Sequence, residues 1–322
     1  MAETITRRAA LRGLAGTALL ATAGAHASAR NEGENPPARK FTKDLVCGNI
    51  GVRVGLPEAI ALAGRHGFES VGPDPSALRP LSDEALAKLL AELKAAKLAW
   101  GAAELPVDFR QGDEAFRNGL KDLPAAAAAL QRAGATRVGT WITPGSDRLT
   151  YLANFKQHAA RLGEVAAILG DHGLRLGLEY VGPKTSRASS RYPFIHTMAE
   201  TRELIDAINR PNVGLVLDSW HWYTAHEAEK DILALKGADV VCCDLNDAPA
   251  GIPTDEQMDL RRELPCATGV IDVKAFLNAL ARIGFDGPVR AEPFKAELGK
   301  LPAEEAVTRT AAAMDRAFAL IG

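Results

Sequence analysis

The chain has 322 residues, 47% of them hydrophobic and 24% charged, with a formal net charge of −2. That is enough for a large core, and α/β barrels past 200 residues fold as one domain. The balanced charge gives no basic footprint for nucleic acid, and the cysteines Cys47, Cys242, Cys243 and Cys266, with no CxxC among them, read as free, mostly buried thiols.

In chain order, Thr6-Arg7-Arg8-Ala9-Ala10-Leu11-Arg12 resembles a twin-arginine export signal, with Ala10 in place of the usual bulky apolar residue. A weakly apolar stretch from Gly13 to Ala25 follows, then an A-x-A cleavage site at Ala27-Ser28-Ala29. The expectation is a signal peptide over residues 1–29, a polar, proline-containing linker over 30–40, and one domain over 41–322. The signal implies export to the periplasm or beyond. Its apolar stretch is too short and too rich in Ala and Gly to serve as a stable membrane anchor.

From Phe41 the pattern alternates between short apolar runs and longer stretches of 3.6-residue periodicity. Strands are predicted near 44–50, 68–73, 98–104, 137–142, 174–180, 213–218, 239–245 and 287–292. Helices are predicted near 56–66, 82–97, 113–133, 150–172, 197–209, 226–236, 271–283 and 303–319. Gly67, Gly134, Gly173, Gly237 and Gly284 follow helices, where a left-handed C-cap suits glycine. Eight strand–helix pairs predict an α/β fold, a single-domain (β/α)8 TIM barrel. No glycine-rich phosphate fingerprint follows the first strand, which argues against a dinucleotide domain. The two long connections, 181–196 and 246–270, follow strands five and seven. Loops of that length in a compact domain are usually functional or disordered.

Four of the strand runs end in a carboxylate: Glu179, Asp218, Asp244 and Glu292. Side-chain alternation puts all four on inward faces at the C-terminal mouth, where barrel enzymes carry their sites. Carboxylates gathered there need a counter-charge, and a divalent metal is the simplest. The competing reading is a structural ion-pair cluster with Arg175 and Arg290. A strand rise of about 3.3 Å per residue sets Arg290 roughly 7 Å below Glu292 and Arg175 roughly 13 Å below Glu179, too deep for at least one of them to pair. An all-oxygen site favours Mn²⁺ or Mg²⁺ over Zn²⁺.

The segments LGLEYVGP, LVLDSWHW, DLNDAPAGIP, ELPCATGVID and VRAEPF cover four barrel strands in order. On these, residues 41–320 resemble the xylose-isomerase-like TIM barrels, the sugar phosphate isomerase/epimerase family that includes the ketose 3-epimerases. The resemblance implies metal ligands at Glu179, Asp218 and Glu292, with Asp244 where the family has histidine. It implies a substrate-contacting role for His221. It also implies that Glu179 and Glu292 act as the acid/base pair, moving a proton α to a carbonyl through a metal-stabilised enediolate. Arg262, Lys184, Trp141 and Glu104 are candidates for gripping a carbohydrate. Relatives often dimerise, so a homodimer is allowed. Two alternatives use the same site: a lyase or hydrolase of 3-keto-glycosides, and a barrel that binds sugar without catalysis. Export leans against a phosphorylated substrate, because sugar phosphates are scarce outside the cytoplasm. A zinc endonuclease would need several histidine ligands and a basic groove, and neither is visible.

Overall fold

The computed structural model describes residues 38–322. The signal and linker readings over residues 1–29 and 30–37 lie outside the described residues. The elements run β1 (Thr42–Leu45), α1 (Leu56–Arg65), β2 (Ser70–Val71), α2 (Pro75–Leu78), α3 (Asp83–Ala95), β3 (Ala99–Trp100), β4 (Ala103–Glu104) and α4 (Asp113–Ala133). Next come β5 (Arg137–Trp141), β6 (Gly145–Ser146), α5 (Tyr151–Asp171), β7 (Arg175–Glu179), α6 (Lys184–Arg187), β8 (Tyr192–Pro193), α7 (Met198–Ile208) and β9 (Val213–Asp218). The last are α8 (Ser219–Thr224), α9 (Glu229–Leu233), β10 (Val240–Leu245), α10 (Val273–Arg282), β11 (Pro288–Ala291) and α11 (Ala303–Phe318).

The main sheet is parallel, in the order β3-β2-β1-β11-β10-β9-β7-β5-β4. Its two ends, β3 and β4, are neighbouring pieces of one stretch of chain, paired on one side to β2 and on the other to β5. The ring is therefore closed, and the eight predicted strands form a (β/α)8 barrel. β6 and β8 make a small antiparallel pair outside it.

Two apolar layers follow from strand alternation. The outer one holds Leu176, Leu178, Leu215, Leu217, Cys243 and Leu245, packed with helix residues such as Phe276 and Leu280. Burial of such a side chain contributes about 1.5–3 kcal/mol. The inner one is a small separate cluster of Ala102, Val216 and Cys242 in the lumen. The lumen is narrow: a Cβ at Gly177 would stand 2.7 Å from Val216 Cγ2, and one at Gly101 would stand 2.4 Å from Asp44 Oδ1. A register shift between Val240 and Cys242 breaks the simple alternation on β10, and Val240 joins the outer layer although alternation predicted it inward.

Other departures are local. The first strand lies at Thr42–Leu45, not 44–50, and Cys47–Ile50 forms a 3-10 turn. The helix expected over 226–236 is only Glu229–Leu233. Gly67, Gly134, Gly173 and Gly284 take positive φ as expected. Gly237 does not; it is needed for close packing, since a Cβ there would lie 2.5 Å from the Gly284 carbonyl oxygen. Among the described residues no helix is long and apolar enough to cross a membrane.

Candidate functional site

Each acid is set by the strand that carries it. Glu179 ends β7 and Asp218 ends β9, while Asp244 lies near the end of β10 and Glu292 directly follows β11. Asp218 also caps α8: its Oδ1 accepts from the Trp220 backbone N–H at 2.8 Å. One turn on, His221 shares its face, with Nε2 3.7 Å from Asp218 Oδ2 and 3.9 Å from Glu179 Oε1. The spacing of DSWH thus follows from a helix that starts on its own buried carboxylate.

Arg262 comes from the long loop after β10 and is 3% exposed. Its Nη1 donates to Asp218 Oδ2 at 2.7 Å and to Glu292 Oε2 at 2.9 Å. Its Nη2 donates to Asp259 Oδ1 at 2.8 Å and lies 3.2 Å from His221 Nε2. Asp247 holds that loop in place. Its buried carboxylate accepts from the backbone N–H of Ala248, Thr268, Gly269 and Ile271, between 2.7 and 3.0 Å. Its backbone exchanges two 2.9 Å hydrogen bonds with Glu263, the residue after Arg262.

The two arginines considered as counter-charges behave differently, one too deep to pair as expected and one paired. Arg175 does lie at the far end of the barrel, donating to the Ala238 carbonyl. Arg290 does pair: its Nε donates to Asp244 Oδ1 at 2.6 Å and its Nη2 to Asp244 Oδ2 at 3.1 Å. Strand rise was measured along β11 alone, whereas the register sets Arg290 directly opposite Asp244. Both Asp244 oxygens thus face a guanidinium. The sequence also missed Asp44, opposite Arg290 on its other side. The signal was weak: Asp44 follows Lys43 at the head of the apolar run Leu45-Val46-Cys47, where it reads as a strand-edge charge.

The electrostatics follow from burial. Glu179 is pushed well above the usual carboxylate range, first by burial and then by the charges of Glu292, Asp244 and Asp218. Glu292 is raised by burial and by Asp244, with Arg262 opposing. His221 is pushed down to about 3, by burial and then by the Arg262 charge, so its imidazole is neutral. Glu179 Oε1 is buried and has no hydrogen-bond partner among the described residues.

Two groups of side chains offer ligand atoms within 4.8 Å of one another: Glu179, Asp218 and His221, and Glu179, Asp244 and Glu292. Glu179 belongs to both. The four carboxylates meet only two guanidinium groups, and one of these, Arg262, also serves Asp259, so the site carries an excess of acid that a divalent cation would offset. The orphaned Glu179 oxygen and this donor set fit a metal ion.

Glu179, Glu292, His221, Arg262, Trp141 and Glu104 line one cavity of about 1220 Å³. Trp141 is the strand neighbour of Glu179. Lys184 does not line that cavity; it bonds Asp255 at 2.8 Å on the surface.

Asp44 titrates on its own terms. It is 1% exposed, and neither oxygen has a hydrogen-bond partner among the described residues. Burial raises it to about 6, with the Arg290 charge offsetting part of the shift. A carboxyl raised in the folded state contributes full stability below its unfolded value of 3.8, and the contribution is lost as pH rises through about 6. Asp44→Asn is therefore expected to match the parent near pH 4 and to exceed it by up to about 3 kcal/mol above pH 7. Denaturant unfolding of both chains from pH 4 to 8 checks this; parallel curves would contradict it.

The sequence matches the family described as xylose isomerase-like TIM barrel over residues 60–317. It is 28% identical to an inosose isomerase of Bacillus velezensis over 263 residues, 78% of this chain and 88% of that one. It is 37% identical to an inosose isomerase of Bacillus subtilis over 153 residues, 45% of this chain and about half (49%) of that protein. Among solved structures, a xylose isomerase domain protein from Alicyclobacillus acidocaldarius superposes with a TM-score of 0.74 at 29% identity, covering 88% of this chain and 99% of that one. An IolI protein with a bound zinc atom superposes at 0.71 and 23% identity, covering 86% and 98%.

Proposed function

The chain belongs to the xylose isomerase-like TIM barrel family, and from that footing we propose that it is a metal-dependent isomerase or epimerase of sugars or related polyols, moving a proton α to a carbonyl. The observation that carries this reading is the pair Glu179 and Glu292, both raised in proton affinity and both lining one cavity. A base for a carbon acid needs affinity near working pH. Glu179 has two carboxylate oxygens, so one would hold the metal while the other is left to act as the base. It takes the proton, the C–H electron pair passes into the enediolate, and Glu292 returns a proton from its own side of the substrate. Return to the neighbouring carbon, with the hydroxyl proton passing from one oxygen of the enediolate to the other, isomerises; return to the opposite face of the same carbon epimerises.

Glu179, Asp218 and Glu292 are the residues that would hold the metal, with His221 or Asp244 beside them. A divalent cation there supplies Lewis-acid stabilisation of negative charge on the substrate oxygens. Arg262 keeps Asp218 and Glu292 oriented and offers a fixed positive charge next to the proton donor. The neutral His221 is held from both sides, its Nδ1 accepting from the Gly182 backbone N–H at 3.2 Å and its Nε2 lying 3.2 Å from Arg262 Nη2, which fixes its ring against the carboxylates. The inosose isomerase and ketose 3-epimerase relatives support a polyol substrate.

The test is proton NMR in D₂O with the full chain, reloaded with Mn²⁺ or Zn²⁺ and cleared of free ion, on a panel of ketoses and inososes with and without chelator. Deuterium entry α to the carbonyl that chelator abolishes is the expected result. No exchange on any member, with metal bound stoichiometrically, overturns the proposal.

A further inference from the structure

The cavity at the carboxylates is larger and more apolar than a free monosaccharide requires. Its volume of about 1220 Å³ exceeds the ~300–1,000 Å³ of pockets that enclose drug-sized ligands. Its deep end is the acid cluster. Its outer wall is formed by Met258, Leu260 and Phe294, which are 49%, 70% and 39% exposed. Of the nine large hydrophobic side chains exposed among the described residues, these three and Trp141 line this one cavity. Single exposed apolar residues need no explanation, but a cluster at the mouth of a polar site does.

The wall is continuous with the chemistry. The Arg262 guanidinium carbon lies 4.5 Å from the centre of the Phe294 ring, and the same guanidinium touches Glu292. Met258 and Leu260 flank Asp259, whose carboxylate faces Arg262 and His221. Phe294 also carries a backbone cost: its φ is 44°, a region in which a bulky residue is strained, at about 1–3 kcal/mol. Folding gains little from a strained aromatic ring that stays wet. A ligand that covers it would.

Of the cations near the cavity, Arg262 and Arg290 are already held by carboxylates and Lys184 bonds Asp255 outside it, whereas the exposed Arg261 lines the cavity with no ion pair among the described residues.

We infer that the cavity takes a sugar or cyclitol bearing an apolar, ring-containing substituent, with the polyol at the carboxylates and the substituent against Met258, Leu260 and Phe294. This rests on the functional reading above and names its substrate class. Calorimetric titration of the full chain with the methyl and phenyl β-glycosides of glucose, galactose and xylose tests it. For at least one sugar the phenyl member is expected to bind about tenfold more tightly than the methyl member. Leu260→Ser and Phe294→Gly are each expected to reduce that advantage several-fold; glycine accepts the positive φ, so the backbone is kept. Glu179→Gln is expected to lose proton exchange and keep the phenyl preference. Equal binding of the two members, or no binding by any, overturns the inference. So does a preference that survives both wall substitutions. Equal binding alongside proton exchange on free ketoses defeats the inference alone. A phenyl preference without exchange on any substrate defeats the functional reading and leaves the apolar subsite standing.

Discussion

Glu179→Gln and Glu292→Gln should each lower turnover by roughly 10²–10⁴-fold. The amide keeps the shape of the side chain and cannot accept the proton. In Glu292→Gln the amide still offers an oxygen to Arg262, which donates to Glu292 Oε2 at 2.9 Å in the parent. Stability separates lost chemistry from lost fold. Both carboxyls are raised by burial, so in the metal-free chain their stabilising contribution falls as pH climbs through their folded values. The amide variants should therefore hold or gain stability at alkaline pH while losing activity. Isotope exchange and thermal melting on the same samples make the comparison. Turnover at the parent level in both variants would remove the acid/base pair from the mechanism.

Arg290→Met should be strongly destabilising. It leaves Asp244, 1% exposed, with no guanidinium on either oxygen. Stranding one partner of a buried pair costs about 3–5 kcal/mol, which lowers the melting midpoint of a domain this size by roughly 6–20 °C. Adding Asp244→Asn should recover most of that, because the stranded charge, not the lost attraction, carries the cost. A single variant melting within about 2 °C of the parent would mean that Asp244 has another cation to turn to.

Much of this was legible in the residues. Apolar runs ending in Glu179, Asp218 and Asp244 located three strands to within a residue or so, because each strand is buried on both faces; Gly173 marks the turn before β7, and Asn209, at a φ of 53°, the helix end before β9. Glu292 fell one residue beyond its strand. What escaped were relations between strands. The Asp244–Arg290 pair depends on the stagger of β10 against β11, and the outward turn of Val240 depends on one local register shift. Neither leaves a mark on a single run. The short helix of Ser219–Thr224 escaped because WHWY has no helical periodicity; a carboxylate cap, not an amphipathic pattern, starts it. Asp247 was hidden for a further reason: its partners Thr268, Gly269 and Ile271 lie more than twenty residues away across a loop.

Asp247 ties the two ends of that loop together, Arg262 anchors it to Asp218 and Glu292, and its tip is held by Gln257, which donates to the carbonyls of Pro249 and Ile252. The side chains that meet a ligand, Met258 and Leu260, are absent from these fastenings. Selectivity and reactivity are thus separable traits in this barrel: the rim can be rewritten residue by residue to admit a different substrate while the carboxylates and Arg262 stay where the strands and Asp247 put them.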